Sequence, residues 1–250
     1  MPSFDSYSID DRLRLLLQGP PGCGKSSLCF QFPKPWIIDL DHNLGGPLRF
    51  AREHGLPIPV GYDVVDRDDD GKEIPKVNRW ARLEKILNKL IADPGVETIV
   101  IDSGTLLADM LVTEVLRGQG KTAISDYKDG RQFWGFYAVA GKALMATIVS
   151  IRKHIVLTIH ERQDTDENGK VVFPVKVTWP GQVGDMISLF FTDNWRVQLE
   201  QQVNVRPPKY DQVLYTMPSY QYALKNSLGL PDKFKMDWKL IEAKLKGPTK

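Results

Sequence analysis

Gly19, Gly22, Gly24, Lys25 and Ser26, within LLLQGPPGCGKSSLCF (residues 15 to 30), have the types and spacing to hold a phosphate. They fit G-x-x-x-x-G-K-S, with an apolar run before and a helix-forming run after. A glycine-rich turn aims its backbone N–H groups inward at an anion, and the N-terminus of the following helix adds positive potential there. Gly19, Pro20, Pro21, Gly22, Cys23, Gly24, Lys25, Ser26 and Ser27 therefore form a candidate nucleotide-binding P-loop. Lys25 is placed to reach the β- and γ-phosphates and Ser26 to ligate Mg²⁺, so ATP and Mg²⁺ are the expected cofactors. A turn that happens to carry Lys-Ser is the plain alternative, and the flanking runs argue against it.

A phosphate loop specifies a nucleotide but no reaction. In VETIVIDSG (96 to 104), Asp102 ends an apolar run, and a strand adjacent to the loop would deliver its carboxylate to the Mg²⁺ shell. An aspartate at a strand end can also be a simple cap. Ser103 follows Asp102, whereas ATPases of the AAA+ type place a water-activating glutamate there. The base must come from elsewhere, and WIIDLDHNLGG offers Asp39 and Asp41.

These groups need a sheet to bring them together. Residues 12 to 18, 35 to 41, 96 to 104 and 153 to 160 read as strands, the third apolar throughout, as a central parallel strand should be. Between them, RWARLEKILNKLIADPG sets Trp80, Leu83, Leu87, Leu90 and Ile91 on one helical face, and a second helix is predicted from about Arg131 to Arg152. After residue 165, ENGKVVFPVKV reads as a turn and strand, SLFFTDNWRVQLE and DQVLYTM as further strands, and DWKLIEAKLKG as a surface helix. The expected fold class is α/β: a mostly parallel central sheet with helices on both faces and additional C-terminal antiparallel strands. One domain covers residues 1 to 250, with residues 1 to 11 an N-terminal extension and 218 to 250 a C-terminal tail and helix.

Composition narrows the classes further. The chain has 250 residues, 42% of them hydrophobic, and can bury one substantial core. A net charge of +2 and a pI near 8.4 exclude nucleic-acid binding by bulk charge alone. Cys23 and Cys29 lie inside the P-loop region without metal-ligand spacing or a disulfide framework, which suits a reducing cytoplasm. The polar N-terminus has no signal pattern and no apolar run approaches spanning length, so no membrane association is expected.

The P-loop, DLDHNLGG (39 to 46), VIDSG (100 to 104), TIHE (158 to 161) and ALKNSLGLP (223 to 231) occur in order over about residues 12 to 235. In this the chain resembles the small phage ATPases with a RecA-like core, the Sak-four single-strand-annealing proteins. The resemblance implies a RecA-like P-loop NTPase. It makes Asp41 the acid that activates the attacking water, in place of the usual Glu, with a turn aspartate as the alternative. It makes His160 the residue that senses the γ-phosphate, and a strand-end polar group is the other reading there. Family members often carry Ala-Lys-x-Arg near the C-terminus, so Lys225 becomes a candidate cation acting on a neighbouring subunit, or else a surface lysine.

Two segments mix cations with groups that could contact single-stranded DNA. Lys121, Lys128 and Arg131 lie near Tyr127, Phe133 and Trp134, suiting backbone charge plus base stacking; Phe133, Trp134 and Tyr137 could equally form one helix face. Arg162, Lys170 and Lys176 surround ENGK, in the order of the second DNA loop of RecA, among the acids Asp164, Asp166 and Glu167. The expected activity is Mg²⁺-dependent ATP hydrolysis coupled to DNA in phage recombination or strand annealing. The implied partners are single-stranded DNA, a single-strand-binding protein and further copies of the chain in a ring or filament. A P-loop switch or motor module such as a helicase loader is the alternative, and a nucleotide kinase lacks support because no Arg-rich lid is present.

Overall fold

The computed structural model describes residues 12–245, and the 1 to 11 extension lies outside them. The elements are β1 (Arg14–Gly19), α1 (Lys25–Cys29), β2 (Pro35–Asp39), α2 (Gly45–Glu53), β3 (Gly61–Val64), α3 (Arg79–Ala92), β4 (Thr98–Asp102) and α4 (Gly104–Gly118), then α5 (Gly130–Ser150), β5 (His154–Thr165), β6 (Val171–Val177), α6 (Gly181–Phe190), β7 (Asp193–Gln201), β8 (Tyr210–Tyr215), β9 (Lys233–Lys235) and α7 (Trp238–Leu245). The strands order as β3-β2-β4-β5-β1-β7-β8-β9, with β6 paired to β5. From β3 through β7 every pairing along this path is parallel. A P-loop α/β sheet of the expected class results.

Both sheet faces are covered, which explains why the central strands are continuously apolar. Leu16, Ile99, Ile101, Leu157 and Ile159 pack beneath α3, α4, α5 and α6 on one face. Leu15, Leu17, Val100, Val156, Trp195 and Leu214 pack beneath α1, α2 and α7 on the other. Burying so many aliphatic side chains, at about 25 cal/mol per Å² of apolar surface, is the main stabilising term.

Several sequence expectations change in detail. Asp102 does not end a strand adjacent to the P-loop strand: β5 lies between β4 and β1. SLFF is helical, because Val183 and Ile187, four residues apart, bury one face of α6 on the sheet. Gly184 lets the first turn of α6 approach closely, since a Cβ there would lie 2.1 Å from the Trp179 carbonyl oxygen. β7 runs parallel to β1, so antiparallel pairing begins only with β8. In α3 the buried residues are Leu83, Ile86 and Leu90, while Ile91 is 44% exposed.

Residues 218 to 245 are no loose tail: Leu224, Leu230 and Ile241 are buried and β9 pairs with β8. α5 is long and apolar enough to cross a membrane by length and composition, contrary to the sequence reading. Its Phe133, Tyr137, Met145 and Ile148 belong to the core, which accounts for that apolarity. Cys23 and Cys29 are free, and burial holds both thiols above their ordinary range.

Candidate functional site

β1 ends at Gly19, where a Cβ would lie 2.4 Å from the Val197 carbonyl oxygen of β7, so only glycine lets the chain turn there. Gly22 and Gly24 have φ of 73° and 93°, in the left-handed region that favours glycine. Gln212 of β8 braces the loop from outside by donating from Nε2 to the Cys23 carbonyl at 2.8 Å. α1 has only five residues. Its dipole is correspondingly small, and phosphate attraction must come mainly from the loop N–H groups and Lys25.

Lys25 is 6% exposed. Its Nζ donates to the carbonyls of Gly19 and Pro20, each at 3.0 Å, and to His160 Nδ1 at 3.3 Å. An ammonium has three protons and no lone pair, so these contacts use its full donor capacity and make Nδ1 the acceptor. Burial first, and then the Lys25 charge, lower the His160 pKa below its ordinary value, against a smaller opposing effect of Asp102. Neutral imidazole is the form that suits this contact.

The carboxylates gather beside the loop. Ser26 Oγ donates to Asp102 Oδ2 at 2.5 Å, and the buried Thr158 hydroxyl donates to Asp102 Oδ1. The Asp102–Ser103 peptide bond is cis. Asp39 stands opposite Asp102 in the β2–β4 register and accepts from the Asn43 N–H at 3.3 Å. Two residues on, Asp41 has a buried Oδ1 with no hydrogen-bond partner. Burial, then Asp102, then Asp39 push its pKa up to about 6. Burial also raises Asp39, partly offset by the Asn43 bond.

An orphan carboxylate oxygen beside a Ser–Asp pair is a donor set for a hard cation. Among the described residues no group of three or more His, Cys, Asp or Glu side chains closes a metal cage. Mg²⁺ takes one or two carboxylates and completes its shell with water and substrate phosphates. Ser26 and Asp102 can hold it, with Asp41 close enough to feel the Asp102 charge.

The remaining sequence candidates lie apart from this cluster. Lys225 pairs with Asn194 in an isolated antiparallel bridge, and its Nζ donates to the carbonyls of Ser188 and Phe191 at 2.7 and 3.2 Å. It anchors the end of α6 within its own chain. Phe133 and Tyr137 are fully buried, whereas Trp134 is 40% exposed and Tyr127 half-buried. Lys121 lies over the Tyr127 ring at 5.8 Å, while Lys128 and Arg131 are exposed at the start of α5. On the β5–β6 hairpin, Arg162 pairs with Asp164 at 2.8 Å and Lys176 with Asp185 at 3.3 Å; Lys170 sits exposed in the turn.

Sequence reasoning missed Thr158, Gln212 and Arg196. Arg196 and Glu161 form a nearly buried ion pair, with Arg196 Nε 2.6 Å from Glu161 Oε1. Glu161, next to His160, is thereby committed to Arg196. A lone polar residue inside the apolar run IVLTI was the available signal for Thr158.

A family model described as an AAA domain, AAA_24, matches residues 11–228. None of the curated proteins matches the sequence. Solved structures similar to the chain include the KaiC-like protein PH0186 from the hyperthermophilic archaeon Pyrococcus horikoshii OT3, at 12% identity and a TM-score of 0.39, with 90% of each chain covered. With its P-loop, Ser26–Asp102 pair and a family match over most of its length, the chain belongs to the AAA_24 family of AAA domains and is a P-loop ATPase domain.

Proposed function

We propose that the chain is a Mg²⁺-dependent ATPase that couples hydrolysis to single-stranded DNA, in recombination or strand annealing of the phage type. The observation that carries this reading is the 3.3 Å contact between Lys25 Nζ and His160 Nδ1. His160 is the last residue of β5 that pairs with β1, and from Glu161 onward β5 pairs only with β6. A group that touches the phosphate-binding lysine therefore stands at the root of the β5–β6 hairpin.

In hydrolysis, the loop N–H groups and Lys25 hold the β- and γ-phosphates, and Lys25 exchanges its carbonyl and imidazole contacts for phosphate oxygens. Ser26 and Asp102 would hold Mg²⁺, which when bound would supply charge neutralisation at the phosphates. Asp41 accepts the proton of the attacking water: its lone oxygen is free, and a pKa near 6 keeps it ionised yet basic at neutral pH. His160, released by Lys25, meets the γ-phosphate and moves the hairpin root.

The test is ATP turnover with and without single-stranded DNA, at several salt concentrations. DNA stimulation that weakens with salt supports the reading, and DNA-independent turnover opposes it. A second reading, a nucleotide switch or motor module such as a helicase loader, draws on the pairing of Arg162 and Lys176 with acids, which lowers the hairpin's attraction for a polyanion.

A further inference from the structure

We infer that Glu161 and Arg196 form a clamp across the end of the P-loop strand and that Arg196 is a positioning residue for His160. This rests on the reading of His160 as the phosphate-sensing group. Glu161 belongs to β5 and Arg196 to β7, the two strands that flank β1. Arg196 stands opposite Gln18 and His160 opposite Gly19, so the pair closes over β1 where it becomes the P-loop.

The contact is bidentate, with Nε to Oε1 at 2.6 Å and Nη2 to Oε2 at 3.1 Å. Side-chain exposures of 7% and 9% place it out of water. Nη1 donates to Gln198 Oε1, and the guanidinium stacks on Tyr222 with 4.1 Å to the ring centroid. Every face of the Arg196 head is thus engaged, and the Glu161 backbone is held with it.

Stability alone is a poor reason for such a pair. Burying two charges costs about as much as their attraction returns, and apolar replacements of similar volume are often neutral or stabilising. Position is the better reason. β5 loses its pairing with β1 after His160. While the far strand of the hairpin is tied back by the Val175 N–H to the Gln221 carbonyl at 2.8 Å, the Glu161–Arg196 pair is the side-chain contact that fixes β5 immediately beside His160. Successive strand side chains point to opposite faces, so fixing Glu161 on one face fixes the His160 ring on the other, toward Lys25. A shift of about 1 Å is enough to spoil a contact of this kind.

The discriminating variant is Glu161→Met combined with Arg196→Met, which removes both charges without stranding either. It should keep a thermal midpoint near wild type, lower kcat for ATP about tenfold or more, and leave KM within about threefold. The His160 ring resonances should also lose the shift that ATP binding produces in the wild type. Wild-type kcat in a folded double variant overturns the clamp. Should that variant not fold, Arg196→Lys keeps charge and approximate volume but not the bidentate geometry, and the clamp then requires a several-fold drop in kcat. His160→Ala separates the two levels: if it turns over ATP normally the sensing role itself fails, and if it is slow while the clamp variants are not, only the clamp fails.

Discussion

Ionised Asp41 sits beside two other carboxylates with one oxygen unpartnered, and this strain is relieved only by a proton or a cation. Its pKa rises from 3.8 to about 6 on folding. The folded state therefore favours the protonated form, and the associated stability is complete below pH 4 and lost as pH rises through 6. Asp41→Asn should accordingly stabilise the nucleotide-free protein at pH 8 by roughly 1 kcal/mol, after discounting for its partial exposure, and have little effect at pH 4. Denaturant titrations at the two pH values check this. The same variant should hydrolyse ATP about 10²- to 10⁴-fold more slowly while binding it nearly normally, measured by single-turnover kinetics and nucleotide titration. Lys25→Ala should abolish turnover, because its ammonium lies against the loop carbonyls of Gly19 and Pro20, where the phosphates bind. The P-loop, Asp41, Asp102 and His160 were legible because each ends a short apolar run. Gln212 and Arg196 were not, since their partners lie 189 and 35 residues away and depend on strand order.

Elements decide how rigidly the loop is held. Gly24 combines a left-handed φ with the Gln212 amide at 1.6 Å from a would-be Cβ, so Gly24→Ala meets both backbone strain and a collision. Nucleotide affinity should fall at least tenfold in that variant, and adding Gln212→Ala should recover only part of it, because the φ strain remains. Calorimetric titration with ADP measures both. β1, β2, β4, β5, α3 and α5 were readable, as each repeats one period over its length, whereas α2, β3 and α4 went unread. α6 was misread because SLFF carries strand-favouring residues, while the spacing of Val183 and Ile187 that makes it helical lies mostly upstream. The direction of β7 was not readable at all, since parallel and antiparallel strands share the same two-residue period.

On the scale of the molecule, the segment from residue 218 completes the core cluster that includes Trp195, Leu214 and the P-loop strand. A chain ending at residue 217 would lose Leu230 and Ile241 from that cluster, at about 2 to 5 kcal/mol each, against a total stability of about 5 to 15 kcal/mol. It should not unfold cooperatively on heating, as followed by circular dichroism. This segment reads as an appendage because its apolar residues are spaced among Gly, Pro and Asn, without the period of a strand or long helix.

β5 is one strand with changing surroundings: it pairs with β4 from His154 to Leu157 and with β1 from Ile155 to His160, and from Glu161 to Thr165 its strand partner is β6. Its amide protons should therefore divide sharply in solvent exchange. Those up to residue 159 should exchange only through global unfolding, over hours or longer, while those beyond 161 should exchange through local opening of the hairpin. A bound nucleotide that reaches His160 would slow the second group and leave the first at its ceiling. The boundary between slow and fast amides along this single strand then becomes a readout of how far the phosphate's influence travels.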